Sequence, residues 1–263
     1  MLQVSQLFIY PVKSLGGIAL EKADITDRGF RYDRRWMLID DQNRFLTQRE
    51  HPVMALFKLQ LANEGILVHF KSDAFTVPFE PLTTITEQVT VWDDTCTATI
   101  VSPAADQWFT ERMGFPVRLV YMPDNSHRKV EAAYAKHEEI VSFADGYPFL
   151  IIGQSSLDEL NDRLETPVPM DRFRPNIVFI GGTPFQEDEM HHFKIGDINF
   201  YGVKPCGRCV MTTVDQQTAI KGQEPLRTLA RYRTHNKKVL FGQNLLHNGQ
   251  GAIHTGDILH LQQ

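Results

Sequence analysis

Two stretches in the first hundred residues alternate apolar and polar side chains on both sides of a short polar break. They are "LFKLQLANEGILVHF" at 56–70, broken at Asn63-Glu64-Gly65, and "EQVTVWDDTCTATIV" at 87–101, broken at Asp93-Asp94. A period of two sends every second side chain to the same face, so each stretch reads as a half-buried antiparallel hairpin. "RWMLIDDQNRFLTQ" at 35–48 reads as a third hairpin turning at Asp41, Gln42 and Asn43, and "QLFIY" at 6–10 as a single strand. Many short antiparallel strands in a row fold as a barrel or a sandwich.

Helical signals begin only after residue 100. Ser102 ahead of Pro103 supplies a cap and a first-turn residue, Trp108, Phe109 and Met113 form an apolar side, and Gly114 ends the segment. A second helix opens at Gln154-Ser155-Ser156, with Leu157, Leu160 and Leu164 on one face and Asp158 and Glu159 in its first turn. Pro225 opens a third, through Leu226, Leu229 and Ala230. Strand-like runs at 149–153, 176–182, 193–203, 209–215 and 256–262 separate the helices. The expected fold class is mainly β with a few helices (α+β). A division near residue 122 gives units 1–122 and 123–263, with the polar stretch 123–139 as connector.

Bulk properties exclude some functions. A chain of 263 residues with formal net charge −5 lacks the basic excess a general nucleic-acid binder uses to displace counterions. Three cysteines are too few for a disulfide framework. The opening "MLQVSQLFIYPVKS" has no secretory pattern, and no window holds 18 consecutive apolar residues. The expectation is a cytoplasmic protein with reduced thiols and no membrane span.

Two of the cysteines sit in "KPCGRC" at 204–209. A structural zinc site wants four Cys or His ligands, and no second C-x-x-C follows; His235 and His247 show no paired spacing. A redox dithiol belongs at a helix N-terminus, whereas "VMTTVD" after Cys209 reads as a β-run. An iron–sulfur cluster needs four thiolates. Two cysteines without a role are the bland alternative. Lys204 and Arg208 flank the pair and favour thiolate, a soft ligand that could serve singly if a cofactor brings the other ligands.

"VKPCGRCVMTTVD" with "EPLRTLARYR" at 224–233 and "FGQN" at 241–244 resembles the MOSC domain, the fold of the molybdenum cofactor sulfurase C-terminus. "IYPVKSLGG" at 9–17, "DRRW" at 33–36 and "RFRPNIV" at 172–178 resemble the companion N-terminal β-barrel and the MOSC core. Taken in order over almost the whole chain, these pieces resemble the amidoxime-reducing component family and its bacterial relatives of the YcbX type. The resemblance implies an N-terminal antiparallel β-barrel-like domain packed on a MOSC β-barrel domain, with the molybdenum cofactor (Mo-molybdopterin) between them. It implies Cys209 as the protein's thiolate on molybdenum, the metal-binding and catalytic position, with Cys206 as a neighbour the family does not need. Lys13, Ser14 and Arg34 fall at positions lining the phosphate and pterin end. Arg174 and Asn176 match positions that hold the pterin system, and Arg208 lies beside the ligand. The competing readings are ordinary ones: Arg34 as a solvated strand charge, Lys13 as a turn residue, and Arg174 with Asp171 as a surface ion pair. The loop "FADGYPF" at 143–149 matches a cofactor-touching loop in which Gly146 and Tyr147 depart from the expected hydroxyls, leaving backbone contacts.

The activity so implied is two-electron, two-proton reduction of hydroxylamines, amidoximes or N-hydroxylated base analogues, with a detoxification role. Electrons would come from a flavoprotein or a ferredoxin-type protein. No C-x₄-C-x₂-C run occurs before Gln263, so that donor is expected to be a separate protein or a domain beyond this sequence. A non-catalytic carrier of cofactor, or of sulfur as a cysteine persulfide, is the second reading. "EDEMHHF" at 187–193 reads as an exposed loop and "GGTPF" at 181–185 as a turn.

Overall fold

Seven strands close into a barrel in the computed structural model, which describes residues 1–262. Around the barrel they run Phe149–Gly153, Ile177–Ile180, Leu2–Ile9, Ile258–Leu261, His192–Ile195, Ile198–Arg208 and Lys238–Asn248, the last pairing back onto the first. Only the Phe149–Gly153 and Ile177–Ile180 pair is parallel among these seven pairings. Closure leaves no open edge in the ring.

The period of two decides what fills it. Leu7 and Ile9, Phe149 and Ile151, Ile177 and Phe179, Phe193 and Ile195 meet in one buried cluster inside the barrel. The alternate residues Leu150, Ile152 and Val178 point outward into a second cluster with Leu157, Leu160, Phe173 and Leu229. Helices Gln154–Asn161 and Leu226–Ala230 carry three of those covering residues. A strand buried on both faces reads as a continuous apolar run, as "FLIIG" does.

The first half builds two open antiparallel sheets. One is ordered Trp36–Ile39, Arg118–Tyr121, Asp94–Ile100, Thr86–Val91; the other is the meander Lys58–Ala62, Gly65–Phe70, Asp73–Pro78. Helix Pro103–Met113 packs Trp108 and Phe109 between them, against Phe57, Val68 and Leu119. The chain therefore enters the barrel with Leu2–Ile9, leaves to build these sheets, and returns to close the barrel. Strand Leu2–Ile9 belongs to the second half's barrel, so the two halves interlock across residue 122. Among the described residues no helix is long and apolar enough to cross a membrane.

Several local expectations need correction. The run at 209–215 is not a strand: Val210–Thr213 is a 3-10 turn, because the Thr212 and Thr213 hydroxyls donate back to the Cys209 and Val210 carbonyls at 3.0 and 2.8 Å. The stretch at 187–193 is not an exposed loop: Glu187 is fully buried, and His192 begins a strand. The hairpin at 35–48 has one arm; beyond Asn43, held at φ 61°, the return makes isolated bridges, Phe45 to Ile39 and Arg44 to Thr90, and no second strand. The second helix ends at Asn161, before Leu164, and Asp158 and Glu159 fall beyond its first turn. The 87–101 hairpin turns on Trp92-Asp93, since Val91 pairs with Asp94.

Candidate functional site

One cavity of about 650 Å³ opens between the barrel and the four-stranded sheet, and Lys13, Ser14, Arg34, Arg174, Asn176, Arg208 and Cys209 all line it. They come from four separate segments. Lys13 and Ser14 lie in the turn that carries the chain out of strand Leu2–Ile9, where Val12 bridges Trp36 and the Lys13 N–H donates to the Trp36 carbonyl at 2.8 Å. Arg34 lies in the turn before Trp36, its N–H donating to the Tyr10 carbonyl at 3.0 Å. Arg174 and Asn176 precede strand Ile177–Ile180. Arg208 ends strand Ile198–Arg208, which bulges twice, between Gly202 and Lys204 and between Pro205 and Gly207. Cys209 follows, ahead of the 3-10 turn. Ser14, Arg34 and Arg174 have φ values of 65°, 49° and 55°. Such backbone is costly for these residues and persists where the surroundings over-determine it.

Tyr10 is the platform of the cationic end. Its ring lies between the guanidinium groups of Arg34 and Arg174, 4.3 and 4.2 Å from the ring centre. Its hydroxyl donates to the Pro175 carbonyl at 3.0 Å. A Cβ on Gly17 would come within 2.6 Å of that ring, so glycine there leaves the platform its room. Arg34 also donates to Asp33 at 2.6 Å and to Asn176 Oδ1 at 3.1 Å, and Arg174 to the Leu15 carbonyl at 2.7 Å. Burial lowers the Arg174 pKa to about 10. Neither arginine is a solvated surface charge. The Asn176 amide is already engaged: its oxygen also accepts from the Leu150 N–H, and its nitrogen donates to the Phe8 carbonyl.

Lys13 is buried, donating to the Phe143 carbonyl at 2.7 Å and to Asp145 Oδ1 at 2.6 Å. Burial pushes its pKa down to about 8, against the opposing pull of Asp145. Asp145 lines the cavity between Lys13 and Arg49. Burial tends to raise its carboxyl, but the Lys13 and Arg49 charges outweigh it and hold it well below the ordinary carboxylate range.

Three residues that sequence reasoning passed over complete the thiol end. Arg49 donates from Nε to Cys209 Sγ at 3.1 Å and from Nη2 to Asp145 Oδ2 at 3.3 Å. Trp92 lies 4.4 Å beneath the Arg49 guanidinium and donates from Nε1 to Asp145 Oδ1 at 3.2 Å. Asp145 is thus a side-chain participant in a loop expected to offer only backbone. No local pattern marks these three, because each pairing joins distant segments. Cys206 also lines the cavity, accepting from Arg208 Nη1 at 3.0 Å. Arg208 is held in turn by the Phe173 carbonyl.

Nine Lys and Arg side chains line the cavity against two carboxylates, Glu131 and Asp145, in a chain of net charge −5. The enclosed charge therefore suits an anion. Among the described residues no group of three or more His, Cys, Asp and Glu side chains could hold a metal ion. A metal at Cys209 must bring most of its own ligands, which disfavours a zinc clip.

Residues 1–116 match the MOSC N-terminal beta barrel domain, and residues 138–260 match the MOSC domain. Over 98% of its length the chain is 32% identical to mitochondrial amidoxime-reducing component 1 of Mus musculus, covering 82% of that protein. The Homo sapiens protein of the same name gives the same identity and coverage. Over 92% of its length the chain is 29% identical to molybdenum cofactor sulfurase of Oryza sativa subsp. japonica, of which it spans 32%.

Proposed function

The chain belongs to the family of MOSC-domain proteins with an N-terminal MOSC beta barrel, the family of the mitochondrial amidoxime-reducing components, and from that premise we propose that it is a molybdenum-cofactor-dependent reductase of N-hydroxylated compounds. Hydroxylamines, amidoximes or N-hydroxylated base analogues take up two electrons and two protons, the N–O bond breaks, and amine or amidine leaves with one water. A bound molybdenum–molybdopterin cofactor would supply the two-electron chemistry; the protein supplies binding, orientation and electrostatics.

The donor set fits that group. The observation that carries the reading is the single cavity joining the Cys209 thiol to the buried Lys13 and Arg174 cations and the half-buried Arg34. A soft sulfur at one end and clustered cations at the other match a cofactor with metal at one end and phosphate at the other. Cys209 would give the protein's one sulfur to the metal. Lys13, the Ser14 hydroxyl and the Arg34 and Arg174 guanidiniums would hold phosphate and pterin. Asn176 would fix Arg34 through its amide oxygen, with one amide N–H left to donate, and Arg208 would border the metal end. The electron donor is a separate flavoprotein or ferredoxin-type protein, or an appended domain of that kind. A detoxification role follows from the substrate class.

Elemental analysis of protein from a host that makes the cofactor tests this directly. Near-stoichiometric molybdenum, retained in Cys206→Ala and lost in Cys209→Ala together with amidoxime turnover, is the expected result. Zinc in its place would sink the reading. A sulfur or cofactor carrier is the second reading, favoured by Arg208 Nη1 at 3.0 Å from Cys206 Sγ, a charge-assisted setting for a persulfide. It requires labile sulfur on the isolated protein and no turnover.

A further inference from the structure

Trp92 occupies a place its residue type disfavours. It is the first residue of the two-residue turn between strands Thr86–Val91 and Asp94–Ile100, with φ 58°. Two-residue hairpin turns want positive φ at that position and normally use glycine or asparagine; a bulky aromatic there is an outlier. Its side chain is 43% exposed, although it is one of the largest apolar groups in the chain. An observed outlier at a cavity wall points toward function rather than fold.

Its surroundings say which function. Trp92 lines the cavity that holds Cys209, and it also lines a second cavity of about 440 Å³ on its other side. That second space is walled by Phe45, Leu46, His51 and Phe115, with Asp40, Arg44, Glu50 and two threonines at polar positions. Phe45 lies 5.0 Å from Trp92, and His51 lies 4.8 Å from Phe115, ring centre to ring centre. Arg49 bridges the remaining gap, since one guanidinium touches both the Trp92 ring and Cys209 Sγ. The Nε1–H bond to Asp145 sets the indole's angle. A single fixed side chain therefore borders both the thiol end of one cavity and a second, partly aromatic cavity that the proposed cofactor site leaves unused.

We propose that Trp92 and the aromatic cavity behind it form the seat for the substrate's body, selecting planar, apolar N-hydroxylated compounds whose N–O group lies toward Cys209. The inference rests on the reductase reading and deepens it by naming the substrate class. A flat ring gains burial and edge contact against the exposed part of Trp92, since Arg49 already stacks on the indole, whereas a small aliphatic amidoxime reaches Cys209 without touching this wall.

Calorimetry on the protein as isolated, with benzamidoxime and acetamidoxime as probes, measures the seat without turnover. Benzamidoxime is expected to bind at least about tenfold more tightly, with Trp92→Ala abolishing that preference and Trp92→Phe keeping most of it. The ratio of kcat/KM for the two substrates should move in parallel, through KM. Equal binding of the two probes by the wild-type protein, or an equal loss for both in Trp92→Ala, overturns the seat. Preferential binding of benzamidoxime without turnover removes the reductase reading and leaves the seat standing. Turnover of both substrates with one kcat/KM removes the seat and leaves the reductase.

Discussion

Arg49 donates from Nε to Cys209 Sγ across 3.1 Å, although 160 positions separate the two residues. The bond ties the loop beyond strand Trp36–Ile39 to the cysteine that follows strand Ile198–Arg208. It also places a cation where a metal-bound thiolate carries negative charge.

Removing that cation should weaken metal retention without unfolding the protein, since Arg49 is a half-buried loop residue. Arg49→Ala is expected to lower molybdenum content and to reduce kcat about tenfold. Arg49→Lys should recover only part, because an ammonium cannot bond Sγ and Asp145 with one rigid fork. Metal analysis and steady-state kinetics on the same preparations check this; wild-type molybdenum content in Arg49→Ala would contradict it.

Lys13 gives the cavity a pH dependence. Burial brings its pKa down to about 8. Below that value the ammonium is present for an anion, and as pH rises through it the charge is lost. A bound anion favours the charged form, so the loss in a complex is centred somewhat higher. Sulfate, whose charge is constant over this range, should bind the cofactor-free protein progressively more weakly from pH 7 to pH 9.5. Lys13→Met should bind weakly at every pH. A flat wild-type profile would remove Lys13 from the anion site.

Local physics explains what could be read from residues alone. The hairpins at 58–70 and 86–100 and the helix Pro103–Met113 rest on alternation, turn residues and caps, all carried within a few positions. The motif residues Lys13, Arg34, Arg174 and Cys209 line one cavity. Arg49, Trp92 and Asp145 were not legible, because they meet only after 53 to 160 residues of intervening chain have folded. The segment after Cys209 reads as strand because threonine and valine favour strands, while two hydroxyls bonding back to the main chain reverse that preference and give a 3-10 turn.

Ser102 offers a test of the fold apart from the site. Its side chain accepts the Ala105 N–H at 3.1 Å, capping a helix whose Gly114 end is left-handed at φ 80°. Ser102→Ala should cost about 1 kcal/mol, and Ser102→Asp should recover part of it. Thermal denaturation should show a Tm lower by about 2 °C for Ser102→Ala. An unchanged Tm would mean that the first turn finds another acceptor.

Glu187 should make stability itself depend on pH. Its carboxyl is fully buried, and burial raises its pKa to about 7. The Ser156 hydroxyl accepts the Phe185 N–H at 2.7 Å and so gives its one proton to Glu187 Oε2, at 2.8 Å. That donated bond favours the carboxylate and opposes the effect of burial, whereas Oε1 has no hydrogen-bond partner among the described residues, which favours the neutral acid. In the unfolded chain the same group ionises near its ordinary value of 4.5. Between those values the folded state binds more protons than the unfolded one, so the group's stabilising contribution is complete below about 4.5 and is lost as pH rises through about 7. The loss is on the order of 3 kcal/mol. Glu187→Gln keeps the shape of the neutral acid and cannot ionise. The Tm of the wild-type protein is therefore expected to fall relative to that of Glu187→Gln between pH 5 and pH 8, by several degrees. Parallel Tm profiles for the two proteins would show that Glu187 stays ionised in the folded state.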